Sequence, residues 1–255
     1  MILQHNQQLD YFPKRIVSLV PSQTELLHYL GLEEETAGIT KFCIHPAVWF
    51  RSKTRVGGTK TVNIAVIKKL QPDLIIANKE ENIQDQVEEL AKDFAVLLTD
   101  INNVEEALQM ILQIGQVTGK AQQAATLAVK IKNEFSTITH PKSLIPAAYL
   151  IWNKPYMTVG GDTFINDMLN KCGIQNIFAD KKRYPEVSVA QLKTQNCELV
   201  LLSSEPYPFK QKHVEELQQH LPNVKIILVD GEMFSWYGSR MLLAPAYLNN
   251  LIREW

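Results

Sequence analysis

A repeated alternation constrains the fold more than any other feature of this chain. Short runs rich in Val, Leu and Ile take turns with longer amphipathic stretches. The runs are Arg15–Val20, Asp73–Ala77, Phe94–Thr99, Ala147–Trp152, Glu198–Ser203 and Val224–Asp230. They lack strict polar alternation, so each reads as a strand buried on both faces. Helical patterns fill the gaps at Thr24–Leu30, Ile64–Leu70, Ile83–Ala91, Val104–Ile114, Phe164–Cys172, Val214–His220 and Leu242–Arg253. Strands alternating with helices specify an α/β protein with mainly parallel sheets, because a parallel pair needs a crossover and the helix supplies it.

The centre of the chain breaks the series. Residues 119–138 are rich in Ala, Lys and Gln, which favour helix. Leu127, Ile131, Phe135 and Ile138 recur at steps of four and three and share one face, and His140-Pro141 ends the stretch because proline disfavours helix for its predecessor. The expected architecture is two Rossmann-like lobes, residues 1–117 and 141–255, joined by one long helix over 118–140. A single doubly wound sheet with a long crossover helix is the alternative.

Composition narrows the function. With 45% hydrophobic and 21% charged residues, the chain of 255 has enough apolar surface to form a core, which excludes a disordered protein. Lys+Arg number 26 against 27 Asp+Glu, a net charge of −1, so there is no basic excess to neutralise phosphates and nucleic acid is not the expected partner. The 3 cysteines, Cys43, Cys172 and Cys197, form no CxxC pair and are odd in number, which argues against a disulfide framework. The start, Met1-Ile2-Leu3-Gln4-His5-Asn6-Gln7-Gln8, turns polar after three residues, unlike an export signal, and no later segment approaches the ~20 apolar residues of a membrane span. As written, the sequence predicts a soluble cytoplasmic protein; a periplasmic or cell-surface location follows instead if a leader has been removed.

Enzyme motifs are sparse. Gly57-Gly58-Thr59-Lys60-Thr61 lacks the first glycine of a phosphate loop and contains no GKT, and neither GxGxxG, GxSxG nor HExxH occurs. Cys43 and His45 lie two apart but no second ligand pair is visible, so no metal site and no intrinsic cofactor are expected. In open α/β sheets ligands bind beyond the carboxyl ends of strands, which directs attention to the segments after each run. These are Pro21-Ser22-Gln23-Thr24-Glu25, Lys41–Pro46, Asn78–Asn82, Asn153-Lys154-Pro155-Tyr156, Ser204–Tyr207 and Gly231–Arg240. Ser22 and Glu25 have the spacing of a capping box for the following helix. Trp152, Tyr156, Tyr184, Tyr207, Phe234, Trp236 and Tyr237 make these segments aromatic, and Trp236-Tyr237 beside Gly238 reads as a surface loop suited to a large, flat, partly apolar ligand. Arg240, Arg183, Lys60 and Lys154 are candidate donors to such a ligand, or solvated surface charges.

The order of several segments resembles a known family. They are Arg15–Leu32 (RIVSLVPSQTELLHYLGL), Val56-Gly57-Gly58, the stretch Leu70-Gln71-Pro72-Asp73-Leu74-Ile75-Ile76-Ala77, Thr158-Val159-Gly160-Gly161, Lys171–Phe178 and Tyr184-Pro185-Glu186-Val187-Ser188. Together they are similar to the class III substrate-binding proteins of ABC transporters, the helical-backbone metal receptor superfamily, and within it to the cobalamin-binding members. The resemblance runs from Arg15 to about Arg253. It implies two lobes braced by a helix, a ligand held in the cleft between them, and no catalysis. Family ligands are cobalamin, haem, ferric siderophores and metal ions. Carried over position by position, the ligand contacts fall at Pro21, Ser22, Gln23, Thr24, Cys43 to His45, Gly58, Thr59, Lys60, Thr61 and Asn78, and at Asn153 to Tyr156, Tyr184, Pro185, Glu186, Trp236 and Tyr237. Trp152 and Arg240 join them from the loop analysis.

The chain departs from the family pattern in two ways. The acid that docks to a permease in an N-[LV]-E pattern is replaced here by Ala65 in Asn63-Ile64-Ala65, and tryptophans expected near Thr59 and Asn78 are absent. The expectation is a monomeric, non-enzymatic binding protein for a cobalamin-like or other metal-chelate ligand, with an ABC permease as a partner put in question by Ala65. An iron-siderophore or haem binding protein is the alternative within the family, a siderophore receptor having a positively charged floor. An enzyme using the same cleft is the alternative outside it, with His45, Glu80, Glu81, Glu186 and Glu205 as its acid–base candidates.

Overall fold

The computed structural model describes residues 1–3 and 9–253. The polar start at residues 4–8 lies outside the described residues. The chain divides into two compact units, one formed by Met1–Ile101, Glu105–Lys132 and Tyr237–Arg240, the other by Asn102–Val104, Asn133–Trp236 and Met241–Trp255.

The first unit contains β1 (Ile2–Leu3), β2 (Ile16–Ser18), α1 (Pro21–Tyr29), β3 (Thr36–Ile39), α2 (Ala47–Ser52), β4 (Thr54–Arg55), α3 (Ile64–Leu70), β5 (Leu74–Asn78), α4 (Gln84–Asp93) and β6 (Val96–Thr99). Its strands form one wholly parallel ladder in the order β1-β6-β5-β2-β3-β4. Every residue of β5 is buried, as its unbroken apolar run requires. Val17, Ile75, Ala77 and Val96 of the sheet pack against Ile67 of α3 and Val87 and Leu90 of α4.

The helical pattern at Val104–Ile114 is α5 (Val104–Val117), and the linking helix expected over 118–140 is the shorter α6 (Ala121–Phe135). Gly119, at φ +72, ends α5 in the left-handed conformation that glycine adopts without a Cβ penalty. Gly115 lets α5 approach α6, since a Cβ there would sit 2.2 Å from that of Ala124. Leu127 and Ile131 are buried as the periodicity predicts, but Ile138 lies beyond the end of the helix. The residues of α6 up to Lys132 group with the first unit and those from Asn133 with the second, so this helix carries the chain from one to the other.

The second unit contains β7 (Ile145–Trp152), β8 (Tyr156–Thr158), α7 (Phe164–Lys171), β9 (Ile174–Asn176), β10 (Glu186–Val187), α8 (Val189–Thr194), β11 (Leu199–Ser203), α9 (Gln211–His220), β12 (Lys225–Val229), α10 (Glu232–Ser235) and α11 (Ala244–Arg253). A 3-10 turn, Ser239–Leu242, precedes α11. The sheet order is β10-β8-β7-β11-β12, with β9 paired to β7. The β7, β9, β11 and β12 pairings are parallel, and β8 runs antiparallel to β7 and β10. Two separate sheets replace the single-sheet alternative. All six apolar runs are strands. The six further strands are short, and Thr36–Ile39 (TAGI) offers too little β-branched apolar content to stand out. Ser188 and Gln191 form a true capping box at the start of α8.

Candidate functional site

At the carboxyl end of β2 the chain enters α1 through Pro21, whose missing N–H suits a first helical position. Val20 is the N-cap, so Ser22 already lies inside the helix and the expected capping box does not form. Glu25 instead accepts two hydrogen bonds from Arg240, at 2.9 Å from Nε and 2.6 Å from Nη2. With side-chain exposures of 10% for Arg240 and 20% for Glu25, this is an internal ion pair, not a pair of solvated charges. It belongs to the first unit, which includes Tyr237–Arg240. Gly238 lies against the turn before it: a Cβ there would stand 3.3 Å from the Ser22 carbonyl oxygen. Ser239 Oγ is buried without a hydrogen-bond partner.

Several candidate residues help to frame this end of the sheet. The Thr24 hydroxyl lies 2.9 Å from the Val20 carbonyl oxygen, 2.8 Å from Ser18 Oγ and 3.1 Å from Cys43 Sγ. Asn78 Oδ1 accepts from the backbone N–H groups of Glu80 and Glu81 at 2.8 and 3.2 Å, while its Nδ2 donates to the carbonyl and hydroxyl oxygens of Thr99. Gln23 Nε2 donates to Thr99 Oγ1 at 2.7 Å, leaving Gln23 Oε1 buried with no partner. Gly57-Gly58-Thr59-Lys60-Thr61 is a tight turn closed by Gly58 N–H donating to Thr61 O at 3.0 Å; Gly57 sits at φ +99, and Asn82 Nδ2 donates to Thr59 O at 3.0 Å. Lys60 Nζ donates to the Glu80 carbonyl oxygen. Ser22, Gln23, Thr24, Thr59, Lys60, Asn78 and Arg240 thus come together in one unit.

The loop after β3 adds exposed apolar side chains beyond that strand's carboxyl end. Phe42 is 51% exposed and Ile44 45%. Ile44 falls within the Cys43-to-His45 contacts that the resemblance implies, whereas Phe42 is singled out only by its exposure. Cys43 itself is buried against Thr24 and Thr40, and burial pushes its thiol pKa up, so it stays a neutral thiol and supplies no thiolate beside His45.

In the second unit β7 ends at Trp152, which is 41% exposed and meets the Tyr207 ring edge-on at 5.7 Å. Asn153 follows, buried, with Oδ1 lacking a partner. Tyr156, half-buried, packs on the core of Leu150, Val200 and Leu202. Thr158 N–H donates to Pro185 O at 3.0 Å, which places the Tyr184–Glu186 segment beside β8; Tyr184 is half-buried and Glu186 exposed. Gly160 is required there because a Cβ would sit 2.5 Å from the Lys181 carbonyl oxygen. Arg183 pairs with Asp162.

The surface placement of Trp236-Tyr237 is corrected: both are buried. Trp236 Nε1 donates to Glu205 Oε1 at 2.9 Å, and Ser235 Oγ donates to the same oxygen at 2.6 Å. Burial pushes the Glu205 carboxyl above the ordinary range, with help from the charges of Glu232 and Asp230 and against the pull of those two hydrogen bonds. Three of the buried polar atoms without partners, on Gln23, Ser239 and Asn153, sit in segments beyond strand carboxyl ends.

Comparison with known proteins places this arrangement. The signature of a family described as periplasmic binding protein matches residues 16–225. The vitamin B12-binding protein of Pectobacterium carotovorum subsp. carotovorum (strain PC1) is 26% identical over 239 residues, covering 91% of this chain and 86% of that protein. Among solved structures, the periplasmic vitamin B12 binding protein BtuF of Vibrio cholerae superposes with a TM-score of 0.76 at 20% identity, over 95% of this chain and 97% of that one. The periplasmic heme-binding protein RhuT from Roseiflexus sp. RS-1 does so with a TM-score of 0.80 at 19% identity, over 94% and 97%. The matched signature covers most of the chain, from β2 to the start of β12, and the chain therefore belongs to the periplasmic binding protein family.

Proposed function

We propose that this protein binds a metal chelate of the cobalamin or haem kind and supplies it to an ABC permease, without catalysing a reaction. One observation carries the reading. Each unit presents, beyond the carboxyl ends of its strands, an exposed aromatic ring and a buried polar group with no partner in the protein: Phe42 with Gln23 and Ser239 in one, Trp152 with Asn153 in the other. Buried polar groups are normally paired, so such groups point to a ligand that completes them. The acid–base candidate Glu205 is already committed to Ser235 and Trp236. Three of the four cations considered as ligand donors are engaged, Arg240 with Glu25, Arg183 with Asp162 and Lys60 with the Glu80 carbonyl, and only Lys154 stands exposed without such a partner among the described residues, which favours an amide- or macrocycle-bearing ligand over a ferric catecholate.

The kinship of the vitamin B12-binding and heme-binding relatives supports a periplasmic or cell-surface place of action, in contrast to the cytoplasmic expectation. Ala65 is exposed in the first turn of α3, so that turn offers no carboxylate at this position to a permease. The test is titration with cyanocobalamin, cobinamide, haemin and a ferric hydroxamate, followed by tryptophan fluorescence. At least one should saturate, and Trp152→Ala should weaken it by about 1–3 kcal/mol, the worth of a stacked, partly desolvated aromatic contact. Absence of saturable binding across the panel, or binding indifferent to both Trp152→Ala and Phe42→Ala, refutes the assignment.

A further inference from the structure

A polar chain in the second unit ends at Asn153. His213, the third residue of α9, is buried, and its Nδ1 accepts the N–H of Lys210 at 2.8 Å, the backbone contact that a Glu or Gln makes in a capping box. An imidazole nitrogen that accepts a hydrogen bond carries no proton, so in the neutral ring the proton is on Nε2. Nε2 lies 3.2 Å from the Tyr207 hydroxyl and donates to it. Tyr207 is held by rings on several sides: Trp152 at 5.7 Å, Phe209 at 4.9 Å and His213 at 5.4 Å.

The Tyr207 oxygen is also 3.4 Å from Asn153 Nδ2, while Asn153 Oδ1 is buried with no partner. With that carboxamide orientation the tyrosine oxygen meets two donors and its own proton has no acceptor. A half-turn of the carboxamide exchanges two ends of nearly equal shape and makes the chain continuous: His213 Nε2–H to Tyr207, Tyr207 O–H to Asn153 Oδ1. The unpartnered buried end of Asn153 is then its NH2 group.

We propose that His213, acting through Tyr207, fixes the polarity of Asn153 so that its Nδ2 faces the ligand as a donor, and the ligand edge seated beside Trp152 carries a hydrogen-bond acceptor, a carbonyl or carboxylate oxygen. His213 and Tyr207 are positioning residues, and Asn153 sets specificity. The ligand half of this inference rests on the proposed binding function; the relay does not.

Two substitutions at 213 separate polarity from packing. His213→Gln keeps an acceptor for the Lys210 N–H and a donor for Tyr207. His213→Glu keeps the first and reverses the second, so Tyr207 donates to residue 213 and Asn153 turns its oxygen outward. With cyanocobalamin or haemin, whichever the wild type binds, His213→Gln should stay within about twofold of wild-type affinity, and His213→Glu and Asn153→Asp should each lose about 10- to 100-fold, measured at a temperature where circular dichroism shows each variant folded. Nitrogen-15 NMR of the ligand-free protein should show His213 as the Nε2–H tautomer. Equal affinities for the Gln and Glu variants, or an Nδ1–H tautomer, overturn the proposal. If no probe binds, the binding function fails, and the tautomer alone decides the relay.

Discussion

The Glu25–Arg240 pair offers the sharpest separation between what the sequence pattern suggests and what the packed molecule does. If Glu25 were part of a capping box, its loss would cost about 0.5–2 kcal/mol and would not depend on residue 240. The structure instead gives it two charge-assisted hydrogen bonds, at 2.9 and 2.6 Å, from a guanidinium that is 10% exposed. Removing one member of a buried pair typically costs about 3–5 kcal/mol, because the other is left as an uncompensated buried charge. Glu25 retains 20% exposure, so water offsets part of that, and about 2–3 kcal/mol is the expected loss for Glu25→Gln or for Arg240→Met. The double variant Glu25→Gln/Arg240→Met should be much less destabilised than the sum, with a coupling of about 2 kcal/mol. Because the chain has two units, global melting mixes their responses. Urea unfolding followed by hydrogen exchange of α1 peptides isolates the first unit. Additivity of the two substitutions within about 0.5 kcal/mol would show that the residues do not act as a pair, and the ion-pair account would fall.

Two further predictions concern groups whose titration burial has altered. Burial pushes the thiol of Cys43 up, that of Cys172 to about 12 and that of Cys197 to about 11, so the native protein should resist a thiol reagent at pH 8 and all three cysteines should react once it is unfolded; rapid native labelling of any of them contradicts their burial. Glu205 holds its proton more tightly when folded than the ordinary 4.5, so its contribution to stability is fullest in acid and declines as pH rises through its folded value. The stability of wild type minus that of Glu205→Gln should therefore fall between acid and neutral pH, and a flat difference would count against the burial argument.

Much of the framework was legible because burial on both faces writes itself into a strand. Arg15–Val20, Asp73–Ala77 and Glu198–Ser203 have no hydrophilic face, and each became a central strand of a parallel ladder. Their carboxyl ends then located the loops that carry the candidate residues. The roles within those loops were less legible. Trp236 reads as a surface ring beside a glycine, yet its indole is buried on Glu205, a residue 31 positions away. Phe42 is not marked as exposed by the sequence, because an apolar residue in a loop reads the same whether it packs inward or faces solvent.

By itself, the sequence determined the α/β class, the order of the main strands and helices, and the segments that follow the strand carboxyl ends, since periodicity and turn chemistry are local properties of the chain. Only the tertiary structure decided that Arg240 neutralises Glu25 across 215 positions and that His213 reaches Asn153 through Tyr207. The physical reason is that a charge or a hydrogen-bonding group has no fixed meaning until its partner is placed. The same arginine serves as a ligand donor in water and as an internal counterion when a carboxylate folds against it.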